Sequence, residues 1–254
     1  YGYEKAYGSY EELMKDDLVD CVYIATPHGL HEEHMLLAIK YNKPILCEKA
    51  FTLNSNQAKH IFDLAKKKKV FVMEAMWTRF LPTIKELKIA IDSGIIGEIK
   101  EIKASFGFDF RSNDKERLNH SYLGAGALLD VGIYPITFAN IFLGAPIHVE
   151  TKAILKENQY DLHNEMVYEY KHATATLKSS FMENMDNSAL IKGEKGYVIV
   201  DHFWSTEKAQ IFNLNHELIK TIHIPHQKNG FEYEIQAVIQ SLEHHELENK
   251  GMTH

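Results

Sequence analysis

Apolar positions in the first third of the chain follow two alternating rhythms. Continuous apolar stretches at 19–27 (VDCVYIATP), 43–50 (KPILCEKA) and 70–77 (VFVMEAMW) are short and rich in β-branched and aromatic residues, the pattern of strands buried on both faces. Between them, 31–42 (HEEHMLLAIKYN) and 54–69 (NSNQAKHIFDLAKKKK) repeat their apolar residues at helical spacing. Ser9 with Glu12, and Asn54 with Gln57, mark helix starts: a short polar cap side chain accepts from the free N–H groups of the first turn. Strands alternating with helices of about a dozen residues predict a parallel sheet covered on both faces.

Near residue 78 the pattern changes. A helix is expected over 82–94 and a strand over 98–110, followed by a loop (111–127) and an apolar helix over 128–144. Then come runs at HVETKAILK, NEMVYEYKHATATLKSSF, SALIKGEKGYVIVDHFW, AQIFNLN and ELIKTIHIP. Several alternate polar and apolar residues, as in an antiparallel sheet with one wet face. A last helix is expected over 231–249. The reading is an α/β domain over 1–78, then an α+β domain over 79–254 with a large, mainly antiparallel sheet.

Composition narrows the classes. With 45% hydrophobic residues over 254 positions, the chain has enough apolar surface for one large or two ordinary domains. Its formal charge of −7 argues against a nucleic-acid surface, which would show as a basic stripe. The basic run Lys66 to Lys69 falls at a helix end, where cations complement the dipole. No apolar run approaches the roughly 18 residues of a membrane helix, and the opening residues are polar rather than a signal peptide. Cys21 and Cys47 border apolar runs and read as small core residues in a reducing compartment. The expected location is the cytoplasm.

The chemistry should sit beyond the carboxyl ends of the parallel strands. There the chain places Thr26, Pro27 and His28, then Glu48, Lys49 and Ala50, then Glu74, Ala75, Met76 and Trp77. Glu48 and Lys49 interrupt the end of a buried strand, and charged residues are rarely buried unless paired or working. A solvated Lys–Glu loop is the plain alternative. In the second domain, GAGALLDVGIYPI puts Asp130 and Tyr134 four apart on one helical face. A free tyrosine is a poor base at neutral pH. A nearby ammonium favours the phenolate, so Lys49, Asp130 and Tyr134 form a proton-transfer set suited to alcohol–carbonyl interconversion, with a nicotinamide for the hydride.

DCVYIATPHGLHEEHMLLAIKYNKPILCEKAFTLN and GALLDVGIYPI together resemble the cofactor half and the catalytic helix of the glucose–fructose oxidoreductase/inositol dehydrogenase (Gfo/Idh/MocA) family. MEAMWTRFLP followed by LLDVGIY is most similar to its dimeric dihydrodiol dehydrogenase and NADP-dependent xylose dehydrogenase branch. The resemblance spans essentially the whole chain. It implies a Rossmann-type first domain and NADP or NAD as cofactor, with NADP favoured. It implies a sugar, polyol or trans-dihydrodiol substrate, and a homodimer or homotetramer. It assigns Lys49 to the nicotinamide ribose and the substrate oxygen, Tyr134 to acid/base catalysis and Asp130 to its support. Thr26, Pro27, His28, His31, Glu48, Trp77 and Arg79 fall at the cofactor. Trp77, Phe106 and Tyr134 fall at the substrate, joined by Trp204 and Phe231 as an aromatic wall whose alternative is ordinary packing.

The chain departs from that pattern twice. Ala50 stands where the family has proline, whose ring makes a cis bond accessible; alanine predicts a trans bond or a less rigid loop. The glycine-rich phosphate turn and the first βαβ unit of the fold are also absent from these residues, and GMTH falls about where the family continues into another helix. Residue 1 is therefore expected not to be the natural start, and these residues alone are expected to fold badly and bind NADP poorly. Rival readings are a non-catalytic NAD(P)-binding sensor of the same fold, and a metal hydrolase built on His28, His31 and His34. The spacing HEEH does not match H-E-x-x-H, so no metal is expected. Val167, Tyr168, Tyr170 and Leu177 are the apolar residues expected on the dimerising sheet face.

Overall fold

The computed structural model describes residues 2, 4–110, 120–157 and 159–254, so most of the loop expected at 111–127 lies outside the described residues. Two compact units emerge: 1–76 with 234–254, and 77–233. The closing helix had been expected in the second domain. It groups instead with the first unit.

The first unit holds α1 (Tyr10–Lys15), β1 (Val22–Ile24), α2 (His31–Lys40), β2 (Ile45–Glu48), α3 (Ser55–Lys68) and β3 (Val72–Ala75). The strands form a parallel sheet in the order β1-β2-β3, with Val22 opposite Ile45 and Ile45 opposite Val72. Ile24, Ile45, Cys47 and Val72 pack with Met35, Ile39, Ile61 and Ala65 into one core. Asn54 caps α3 as the spacing predicts, accepting from the N–H groups of Asn56 and Gln57 at 3.1 Å each. Lys66, Lys67 and Lys68 occupy the last turn of α3. Burial raises both thiols, Cys21 to about 11 and Cys47 well above the ordinary value.

The second unit holds α4 (Pro82–Asp92), β4 (Ile99–Gly107), a π-helical turn (Leu128–Gly132), α5 (Ile133–Leu143) and seven further strands: β5 (His148–Lys156), β6 (Tyr160–Glu169), β7 (Thr174–Ser180), β8 (Ser188–Gly193), β9 (Gly196–Asp201), β10 (Lys208–Asn213) and β11 (Leu218–His223). They make an eight-stranded sheet ordered β11-β10-β9-β8-β4-β7-β6-β5. Only the central β4–β7 pair is parallel. The run expected as one strand over 164–181 is two, because the chain turns at 170–173, where the Tyr170 N–H donates to the Ala173 carbonyl at 2.9 Å. α5 buries Tyr134, Pro135, Thr137, Phe138, Ala139 and Phe142. The helical stretch Ser121–Leu143 is long and apolar enough to cross a membrane by composition, a length the sequence reading had not expected. More than half of its most apolar window is buried inside the unit, as befits a core helix.

α6 (Glu232–Glu243) buries Glu234, Val238 and Ser241, a four-then-three spacing on one helical face. It ends six residues before the expected 249. His245 takes a left-handed φ of 56° and its N–H turns back to the Leu242 carbonyl.

The residues expected on the open sheet face divide by strand periodicity. Leu177 lies opposite Met166 in the ladder, and both are buried, at 0% and 2% exposure. Leu177 therefore belongs to the core, correcting the expectation. Tyr168, opposite Ala175, shares that inner face, since side chains two apart on a strand point the same way. Val167 points outward, and Ile154 and Ile199 on that same face are also exposed; Val149, opposite Tyr168 on the edge strand, faces the other way.

Gly193 closes β8 where a Cβ would stand 2.3 Å from the Ile96 carbonyl oxygen. Gly193→Ala forces backbone apart in a packed sheet end. It is expected to cost about 2 kcal/mol and to lower Tm by roughly 4–8 °C in a thermal melt. An unchanged Tm would show that the strand end yields freely.

Candidate active site

In the first unit, the turn after β2 is clamped from several sides. The His28 ring Nε2 lies 3.1 Å from the Lys49 carbonyl. His31 spans two segments, with Nδ1 3.0 Å from the Ala50 carbonyl and Nε2 2.7 Å from the Thr26 carbonyl. The Phe51 N–H donates to Glu74 Oε1 at 2.9 Å, and the Lys49 N–H donates to Glu48 Oε2 at 3.2 Å. The Lys49–Ala50 peptide bond is cis, contrary to the expectation from alanine at position 50. The carbonyls on both sides of that bond are the ones held by the histidine rings.

His28 is 3% exposed and His31 0%. Both act here through the backbone they hold, rather than through an open ring face. His34 Nδ1 lies 3.0 Å from Thr26 Oγ1, and burial lowers its proton affinity. The three histidines are thus engaged with the two loops. Among the described residues, no three His, Cys, Asp or Glu side chains are placed to hold a metal ion. Pro27 precedes a short 3-10 turn over His28–Leu30 that leads into α2.

Sequence reasoning missed one carboxyl, Glu234, that joins Glu48 and Glu74 beside this turn. Tyr23 donates its hydroxyl to Glu48 Oε1, and burial, then Glu48, pushes that hydroxyl's pKa up. Glu234, from α6, is 1% exposed. Its Oε2 is buried with no hydrogen-bond partner among the described residues. Burial, then the charges of Glu48 and Glu74, raises its carboxyl to about 8. The available signal was an acid in phase with Val238 and Ser241 on the buried face of the last helix.

The second unit gathers the aromatic candidates. The Trp77 indole Nε1 donates to the Tyr134 hydroxyl oxygen at 3.1 Å in buried surroundings. Trp77 stacks on Phe231 with ring centroids 4.3 Å apart and 13° between planes. Phe106 stacks on Trp204 at 3.8 Å and meets the Tyr134 ring at 5.4 Å. Trp77, Phe106, Tyr134, Trp204 and Phe231 therefore form one aromatic group. Asp130 sits half-buried in the π-helical turn just before Tyr134, an insertion that often marks functional helices. Arg79 donates from Nη2 to Asn140 on α5.

Residues 1–76 match the family model described as oxidoreductase family, NAD-binding Rossmann fold, and 84–199 match the GFO/IDH/MocA C-terminal domain. A trans-1,2-dihydrobenzene-1,2-diol dehydrogenase from Xenopus laevis is 34% identical over 250 residues, covering 94% of this chain and 74% of its own. The chain belongs to the Gfo/Idh/MocA oxidoreductase family. An NADP(+) scyllo-inositol 2-dehydrogenase from Bacillus subtilis is 31% identical over 254 residues, covering 98% of this chain and 76% of its own. The chain spans 62% of the length of the dihydrodiol dehydrogenase from Xenopus tropicalis, to which it is 37% identical over 79% of its own residues. Among solved structures, a 3-ketoreductase from Actinomadura kijaniata in complex with TDP-benzene and NADP superposes with a TM-score of 0.79 at 26% identity, over 94% of this chain and 74% of that one.

Proposed function

We propose that the protein is an NAD(P)-dependent dehydrogenase acting on the CH–OH group of a sugar, polyol or trans-dihydrodiol, with NADP preferred. The observation that carries this reading is the Tyr134 hydroxyl set in a group with four other aromatic side chains, one helical turn after Asp130. Such a surface suits the apolar face of a sugar ring or an aromatic diol. The activities for which these relatives are named, on dihydrodiols and on scyllo-inositol, support the substrate class.

When bound, the nicotinamide supplies the hydride chemistry. The clamped turn fits a nicotinamide ribose: it carries one ammonium, on Lys49, and its flanking carbonyls are drawn back by His28 and His31. In the oxidation direction, Tyr134 takes the proton of the substrate hydroxyl as the hydride leaves its carbon, and a carbonyl forms. Lys49 favours the phenolate and Asp130 supports the pair. The aromatic group keeps water from the reacting carbon. The exposed sheet face that includes Ile154, Val167 and Ile199 is the proposed contact between copies in a homodimer or homotetramer.

The test is absorbance at 340 nm, using the full natural polypeptide with NADP or NAD against xylose, glucose, inositol and trans-dihydrodiols. Turnover of at least one is expected, faster with NADP. Tight cofactor binding with no turnover on any of them would make the protein a sensor instead.

A further inference from the structure

We infer that Trp77 is a positioning residue for the proton carried by Tyr134: its indole N–H, donated to the phenol oxygen, directs the phenol's own hydrogen away from the indole and stabilises the oxygen when it is anionic. The inference rests on the proposed acid/base role of Tyr134.

An indole nitrogen donates and cannot accept, while a phenol oxygen does both. With Nε1 3.1 Å from the Tyr134 oxygen, the shared hydrogen can only be the indole's. A phenol O–H prefers the plane of its ring, which gives it two directions. The side occupied by Trp77 is closed to it, so the proton is left facing the other side, where an acceptor can take it. After the proton leaves, the same N–H becomes a hydrogen bond to an anion, the stronger kind.

The indole is built into place. One face lies on Phe231. A Cβ on Gly230 would stand 2.7 Å from Trp77 Cζ3, so the ring edge rests where only a glycine leaves room. The turn carrying Trp77, Trp77–Phe80, is tied down on both sides. Thr78 Oγ1 donates to the Trp204 carbonyl at 2.8 Å, and Arg79 bonds Asn140 on the same helix as Tyr134. Trp77 is only 8% exposed, so water competes poorly for the bond. A tryptophan serving purely as an apolar wall would not need its nitrogen aimed at the hydroxyl.

The experiment is NMR of the full natural polypeptide with no substrate or cofactor, labelled with 15N-indole tryptophan and 13Cζ-tyrosine. Two tryptophans occur in the chain's 254 residues, and Tyr134→Phe identifies the Tyr134 signal. In the wild-type protein, the Trp77 indole N–H signal is expected to move with the same titration midpoint as the Tyr134 carbon, and to lose that movement in Tyr134→Phe. In Trp77→Phe, which keeps a ring on Phe231 but has no donor, the Tyr134 midpoint is expected to rise by about one pH unit. The rising limb of kcat/KM for alcohol oxidation should shift with it, so the loss is about tenfold at low pH and fades at high pH. An indole signal indifferent to Tyr134 ionisation, or a loss in Trp77→Phe equal at every pH with the midpoint unmoved, would overturn the inference. The wild-type titration stands even if a variant does not fold. Coupled signals in a protein that turns over no alcohol would leave the Trp77–Tyr134 bond intact and remove the dehydrogenase reading instead.

Discussion

Exchanging Tyr134 for Phe in the full natural polypeptide is expected to lower kcat for alcohol oxidation by roughly a hundred- to ten-thousand-fold, the range for losing a general acid/base. Affinity for NADP should stay within about twofold. The exchange removes a single oxygen, and the ring keeps its place against Phe106 and on the buried side of α5. The Trp77 indole loses an acceptor but keeps its seat on Phe231. A large fall in kcat with cofactor binding preserved thus isolates the proton step. Lys49→Ala should also abolish turnover, and it should weaken NADP as well, because its ammonium is assigned to both substrate oxygen and ribose. Steady-state rates at 340 nm with fluorescence titration of NADPH separate the two. A Tyr134→Phe protein that keeps a tenth or more of wild-type kcat would end the acid/base assignment.

The largest effect on stability is expected at Glu234. A carboxyl raised from 4.5 to about 8 keeps its proton in the folded state where the unfolded chain has lost it. The folded state therefore binds more protons across that window, and stability falls as pH climbs from about 4.5 to 8, then levels off. At pH 7 the cost relative to acid pH is on the order of 3 kcal/mol. Glu234→Gln keeps the shape and carries no charge. It should raise Tm near pH 8 and leave it almost unchanged near pH 4.5, so the two melting curves diverge with rising pH. Parallel curves across pH 4.5–8 would mean that Glu234 is already ionised or already solvated. The interaction is local: the two carboxylates that oppose its ionisation hold the N–H groups of Lys49 and Phe51.

The strands and helices of the first unit were legible because each is a clean run of one periodicity. The three buried strands and the Asn54 cap are examples. Reading failed where tertiary context overrode a local pattern. VYEYKHATA looks continuous, yet a four-residue turn splits it. Leu177 looked available for a partner because a strand pattern alone does not say which face is covered. The closing helix reveals its buried stripe in sequence but not the unit that receives it. At the candidate site, residue types and spacing marked Lys49, Asp130 and Tyr134. The Trp77–Tyr134 bond joins positions 57 apart, and nothing local to either residue points to the other. The cis bond before Ala50 was invisible for a similar reason: the groups that surround it come from His28, His31 and Glu74, on other segments.

The central seam of the large sheet has a consequence for assembly order. β5 to β7 and β8 to β11 each join strands through short connections, so they can pair soon after they are made. The β4–β7 seam instead joins residue 102 to residue 175, and β4–β8 joins 102 to 191. Closing such long loops is entropically slow compared with hairpin formation. The two meanders therefore gain their pairing early and wait with open edges until β4 enters between them, which makes β4 the keystone whose arrival completes the sheet.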